Sequence, residues 1–63
     1  MTRQEALEIL LEIDTSTVID DNWGDFIEPK VVEALCKYTN LNSYDEVLEY
    51  YEGWYIIDII EER

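Results

Sequence analysis

The chain has 63 residues and a formal charge of −12, from 16 Asp and Glu against four Lys and Arg, with no histidine and one cysteine. A chain of this length makes one domain with a thin core, burying about 60% of the surface its unfolded form exposes. The charge weighs against direct nucleic-acid binding, which needs Lys and Arg to neutralise phosphates, and against anionic membranes.

The hydrophobic content of 48% is that of a folded domain rather than an acidic tail, and the apolar residues recur periodically. Residues 2–13, TRQEALEILLEI, have the spacing of a first helix. Thr2 and Glu5 stand at the capping-box interval, where hydroxyl and carboxylate each satisfy an orphaned backbone N–H. At 100° per residue Glu5, Glu8 and Glu12 share a narrow arc, and Ala6, Leu7, Ile9, Leu10, Leu11 and Ile13 cover most of the rest. The pattern predicts a largely buried helix with one acidic stripe facing water.

Residues 14–28, DTSTVIDDNWGDFIE, carry turn chemistry, with a short extended piece in STVI. Trp23 and Phe26 are expected to pin this segment to the core. A second helix opens at Pro29, a favoured first position because its missing N–H would be unpaired there anyway, and stops near Asn40. Val31, Val32, Ala34, Leu35 and Tyr38 form its inner face. Lys30, Glu33 and Lys37 point outward, with Glu33 and Lys37 at the i,i+4 interval.

A third helix lies within LNSYDEVLEYYEG. Ser43 and Glu46 repeat the capping-box interval, and Gly53 suits the left-handed residue that ends a helix. Asp45, Glu49 and Glu52 make a second acidic stripe; Val47, Leu48 and Tyr51 face inward.

The tail WYIIDIIEER supports two readings. Its β-branched residues suit a strand. Its spacing favours a helix, with Asp58, Glu61 and Glu62 on one side and Tyr55, Ile56, Ile59 and Ile60 on the other. The fold expected is therefore mainly α, a small three- to four-helix domain with a break at Gly53. The alternative is α+β: three helices plus a two-stranded ribbon pairing residues 16–20 with 55–60.

Catalytic chemistry finds little material here. Without histidine, Ser16, Ser43 and Cys36 have no imidazole to activate them, and two glycines cannot build a phosphate-cradling loop. The chain is expected not to be an enzyme and to need no cofactor. Asp20-Asp21-Asn22-Trp23-Gly24-Asp25 resembles the start of a calcium loop but fails the pattern. With Gly24 at position 6, Ile19 falls at position 1; starting at Asp20 puts Val31 where the bidentate Glu belongs. Turn and helix-entry chemistry is the better account. Cys36, on the apolar side of its helix, is expected to be a small core residue. A lone cysteine suits a reducing cytoplasm. The polar stretch after Met1 and the lack of a long apolar run agree with that location.

The acidic stripes remain. Carboxylates three or four positions apart on a helix are separated by about 4.5–6 Å of rise, a scale comparable to neighbouring phosphates. Such a row suits a Lys/Arg-lined groove built for a nucleic-acid backbone. Tyr50, at the edge of one acidic arc, and Trp54, within the arc of the tail, are candidate aromatic anchors for an interface with a charged rim. Crowding along each stripe is expected to raise carboxylate pKa values.

In size and acidity the chain resembles the small acidic proteins with which bacteriophages block host nucleic-acid enzymes. These include DNA mimics directed at restriction systems, anti-CRISPR proteins and uracil-DNA glycosylase inhibitors. The resemblance is one of general character and carries over no residue. It implies a non-enzymatic inhibitor acting in the host cytoplasm. Its partner would be the basic surface of a nucleic-acid-binding protein or nuclease; on the stripe pattern of this chain, Glu5, Glu8, Glu12, Asp45, Glu49 and Glu52 would meet that surface with Tyr50 or Trp54. The competing expectation is a small helical interaction module or homodimer whose apolar tail completes a core across two chains.

Overall fold

Each helix begins where the local chemistry allows it. In the computed structural model, which describes residues 1–62, α1 spans Arg3–Glu12. The Thr2 hydroxyl accepts the Glu5 N–H at 3.1 Å, and Glu5 Oε1 accepts the Thr2 N–H at 2.9 Å. The capping box of the sequence is thus formed in full. A four-residue helix, α2 (Asp21–Gly24), opens where Asp20 Oδ1 accepts the Trp23 N–H at 2.7 Å. The DDNWG run therefore serves as a helix entry.

Helix α3 (Pro29–Thr39) starts on Pro29 and ends at Asn40, whose φ of 62° is the left-handed stop that asparagine tolerates. Helix α4 (Tyr44–Tyr51) starts at Ser43, whose hydroxyl accepts the Glu46 N–H at 3.3 Å. Gly53, at φ 88°, then turns the chain out of the helical path. Only glycine adopts that conformation without a steric cost. The break expected there is present.

The tail realises part of each expectation. Tyr55 is extended and makes an antiparallel bridge with Val18. The Ile19 N–H donates to the Trp54 carbonyl, and the Gly53 N–H to the Ile19 carbonyl, both at 2.9 Å. The Ile56 N–H donates to the Thr17 carbonyl at 3.0 Å. After this brief pairing the chain coils into α5 (Ile56–Ile60). The ribbon is thus reduced to one bridge, and no strand forms among the described residues. The molecule is mainly α.

Helix α3 is the central element, packed against both α1 and α4, while α5 closes against α1. Ala6 and Leu10 from α1 meet Val31, Ala34 and Leu35 from α3, Val47 from α4, Ile56 and Ile59 from α5, and Ile19 from the linking segment. Ile56 and Ile59 are buried within this one chain. At about 25 cal/mol per Å² of buried apolar surface, four buried Leu and Ile side chains from α1, α3 and the tail supply several kcal/mol. Two tyrosines fasten the tail at its edges: Tyr38 donates to the Ile60 carbonyl at 2.8 Å, and Tyr51 to Glu62 Oε2 at 3.0 Å.

Three side chains expected inside lie outside. Leu11 is 54% exposed, because α3 and α5 cover only the side of α1 that carries Ala6 and Leu10. Tyr55 is 48% exposed, since side chains alternate along extended backbone and its neighbour Ile56 takes the inward place. Phe26 is 82% exposed. Ile27, next in sequence, packs on the core in its stead.

Candidate partner-binding surface

The acidic residues lie on the outside of this frame. No polar or charged residue is buried among those described. Glu5, Glu8 and Glu12 are exposed along α1; Asp45 and Glu49 are exposed on α4, and Glu52 on the residue that ends it. Both helices pack on α3, so the six carboxylates form two rows on different helices rather than one continuous row. Of the proposed aromatic anchors, Tyr50 is 64% exposed beside Glu49. Trp54 is 37% exposed and rests edge-on against Tyr51, ring centroids 5.0 Å apart. It precedes α5 and so does not lie on the acidic arc of a tail helix.

The described cations lie on α1 and α3. The Arg3 guanidinium sits over the Tyr38 ring, 4.1 Å from its centroid, where ring face and charge attract. Lys30 and Lys37 both project from α3 and are exposed.

Crowding does not dominate the carboxylate chemistry at Glu5. Its pKa is lowered, first by the hydrogen bond from the Thr2 backbone and then by the Thr2 side chain. Asp14 is lowered too, by hydrogen bonds from the Ser16 side chain, at 2.6 Å, and from the Ser16 backbone. At these two positions local hydrogen bonding works against the direction expected from repulsion. Burial raises the Cys36 thiol, with Glu46 adding to the effect. A thiol held protonated is a poor nucleophile. Among the described residues, no three His, Cys, Asp or Glu side chains are grouped to hold a metal ion.

The surface also holds a feature that sequence periodicity missed. Between α1 and the start of α3 lies an open cleft of about 320 Å³. Ile9, Ile13, Trp23, Phe26, Ile27 and Val31 give it apolar walls, with Glu12, Glu28 and Lys30 also on its lining. A hint was present in the sequence: WGDFI puts three large apolar residues beside a four-residue turn of helix, more than so short an element can bury.

No family model, curated protein or solved structure matches this chain. No helix among the described residues is long and apolar enough to cross a membrane.

Proposed function

We propose that this protein is a non-enzymatic inhibitor or regulator that occupies the basic nucleic-acid site of a partner protein through its carboxylate surface. The observation that carries the reading is charge density. The molecule measures 26 × 21 × 19 Å and bears a net charge of −12. Duplex DNA carries one charge per about 1.7 Å of axis, so a length equal to the long dimension bears about 15. A folded body of nearly that charge, with its acidic side chains in solvent, suits a groove that already neutralises phosphates. It also draws a basic partner from a distance and repels nucleic acid itself.

Glu5, Glu8 and Glu12 on α1, and Asp45, Glu49 and Glu52 on and after α4, would pair with Lys and Arg of the groove. Tyr50 and Trp54 are aromatic contacts available near the second row. Such a function needs no cofactor, and the partner is expected in the cytoplasm of the cell where the protein acts.

The test is competition. A nucleic-acid enzyme captured on this protein from a lysate should lose DNA or RNA binding, and excess nucleic acid should displace the protein. Simultaneous binding of both without interference would overturn the reading.

A further inference from the structure

The most exposed large apolar side chain in this small protein is Phe26, and it stands on the lip of the cleft lined by Ile9, Ile13, Trp23, Ile27 and Val31. A single exposed apolar residue needs no explanation. An exposed phenyl ring continuous with a cleft walled by four aliphatic side chains and an indole does, because covering such a surface strengthens an interface. One wall of the cleft is anchored. The Trp23 indole stands edge-on to Tyr44 at 6.0 Å, and its N–H backbone group is held by Asp20 at 2.7 Å. An occupant would therefore meet a preformed wall at Trp23.

Charge determines what that occupant is. Glu12 closes the acidic row of α1 and also lines the cleft, where Glu28 joins it. Asp25 is exposed next to Phe26. Among the described residues Lys30 is the one cation that lines the cleft, and the sequence as a whole carries −12. An anionic lipid, a nucleic acid or a second copy of this chain would approach against that field. A cationic segment bearing an apolar side chain satisfies both parts of the site.

We infer that the Phe26 cleft is the apolar anchor point of the partner interface, receiving one large aliphatic or aromatic side chain from a Lys/Arg-rich protein segment whose cations run along Glu12, Glu8 and Glu5. The inference rests on the proposed carboxylate-to-basic-groove function and adds the place where that contact becomes specific. Electrostatics steers the encounter, and the socket sets the register.

The probe is a synthetic amphipathic Lys/Leu peptide, roughly four helical turns long, compared with an oligolysine of equal charge. The protein carries Trp54→Phe, which leaves Trp23 as its only indole and makes fluorescence report on the cleft. The Lys/Leu peptide should shift the Trp23 emission and bind at least about tenfold more tightly than oligolysine. Phe26→Ser should remove that advantage without lowering the melting temperature, because the ring is already in water. Equal affinity for the two peptides, or an advantage that survives Phe26→Ser, would overturn the inference. So would Phe26-dependent binding of uncharged phosphatidylcholine vesicles in place of the peptide.

Glu8→Lys with Glu12→Lys separates this result from the underlying function. Loss of oligolysine binding on reversal, with Phe26→Ser silent, leaves the electrostatic function standing and removes the socket. Oligolysine and Lys/Leu binding that both ignore the reversal remove the carboxylate row from the interface and the inference with it.

Discussion

The Tyr44 hydroxyl donates to the backbone carbonyl of Asp20 at 3.0 Å, joining the first residue of α4 to the entry of α2 across 24 positions of sequence. The same Asp20 caps α2 through its side chain, and Trp23 of that helix packs edge-on against the Tyr44 ring. One tyrosine therefore ties the irregular segment to the helical body and, through Trp23, holds one wall of the Phe26 cleft.

That position predicts an alkaline transition. Burial, then the nearby Asp20 charge, pushes Tyr44 up to about 12, from an ordinary value of 10.0. A folded-state pKa above the unfolded one means that the folded protein binds the extra proton between the two values. The stability it brings is full below pH 10 and is lost as pH rises through about 12. Tyrosinate absorbance should show a late ionisation step near pH 12, in step with unfolding. Tyr44→Phe should delete that late step; a late step that survives Tyr44→Phe would disprove the assignment.

Gly24 supplies a steric test of the same contact. A Cβ at this position would lie 2.9 Å from Cε2 of the Tyr44 ring, closer than side chains tolerate. Because the hydroxyl end of that ring is already tied to Asp20, it cannot swing away freely. Gly24→Ala should destabilise by about 1–3 kcal/mol in urea unfolding, the usual cost of overpacking. Gly24→Ala combined with Tyr44→Ala should relieve the clash. A single variant as stable as the parent would mean that the ring moves without cost.

Much of this fold was legible because its signals are local. Thr2 with Glu5, Pro29, Asn40 and Gly53 mark helix boundaries through capping, ring geometry and left-handed backbone, and each acts within a few residues. The tail was ambiguous for a physical reason: residues 53–55 follow the demands of pairing with Ile19 and Val18, whereas residues 56–60 follow helical spacing. Periodicity predicts one period for a segment that uses two. Phe26 was misplaced because hydrophobicity alone does not say which of two adjacent apolar residues, Phe26 or Ile27, reaches the core. The acidic rows were readable from spacing, but the cleft beside Glu12 is built from α1, the segment around α2 and α3, and no local pattern encodes it.

Acid should reveal the two lowered carboxylates. Glu5 and Asp14 have folded-state pKa values below their ordinary 4.5 and 3.8. Their contribution is present above the unfolded values and is lost as pH falls through the folded ones. The melting temperature should therefore decline below about pH 4.5, with Glu5→Gln showing a shallower decline than the parent. Added NaCl at neutral pH should raise the melting temperature, since screening relieves self-repulsion at a charge of −12. An acid limb unchanged by Glu5→Gln would show that the capping box does not carry this dependence.

Which carboxylate row meets the partner is the remaining functional question, and the fold dictates how to ask it. Glu5 is a poor site for charge reversal because it holds the Thr2 N–H and starts α1. Glu8 and Glu12 are exposed, so reversing them to Lys tests the first row with little effect on helix formation. Asp45, Glu49 and Glu52 are likewise exposed and can be reversed together. If the α1 row is engaged, Glu8→Lys with Glu12→Lys should weaken the complex with a captured nucleic-acid enzyme by at least about tenfold at moderate salt, and flatten the fall of affinity with NaCl. Reversal on the α4 side should then have a smaller effect, arising from the loss of long-range attraction. The opposite ranking would move the contact to α4 and its neighbours Tyr50 and Trp54. Circular dichroism of each variant checks that helix content is retained. If neither reversal weakens the complex, the acidity serves solubility, and the proposed occupation of a basic groove fails.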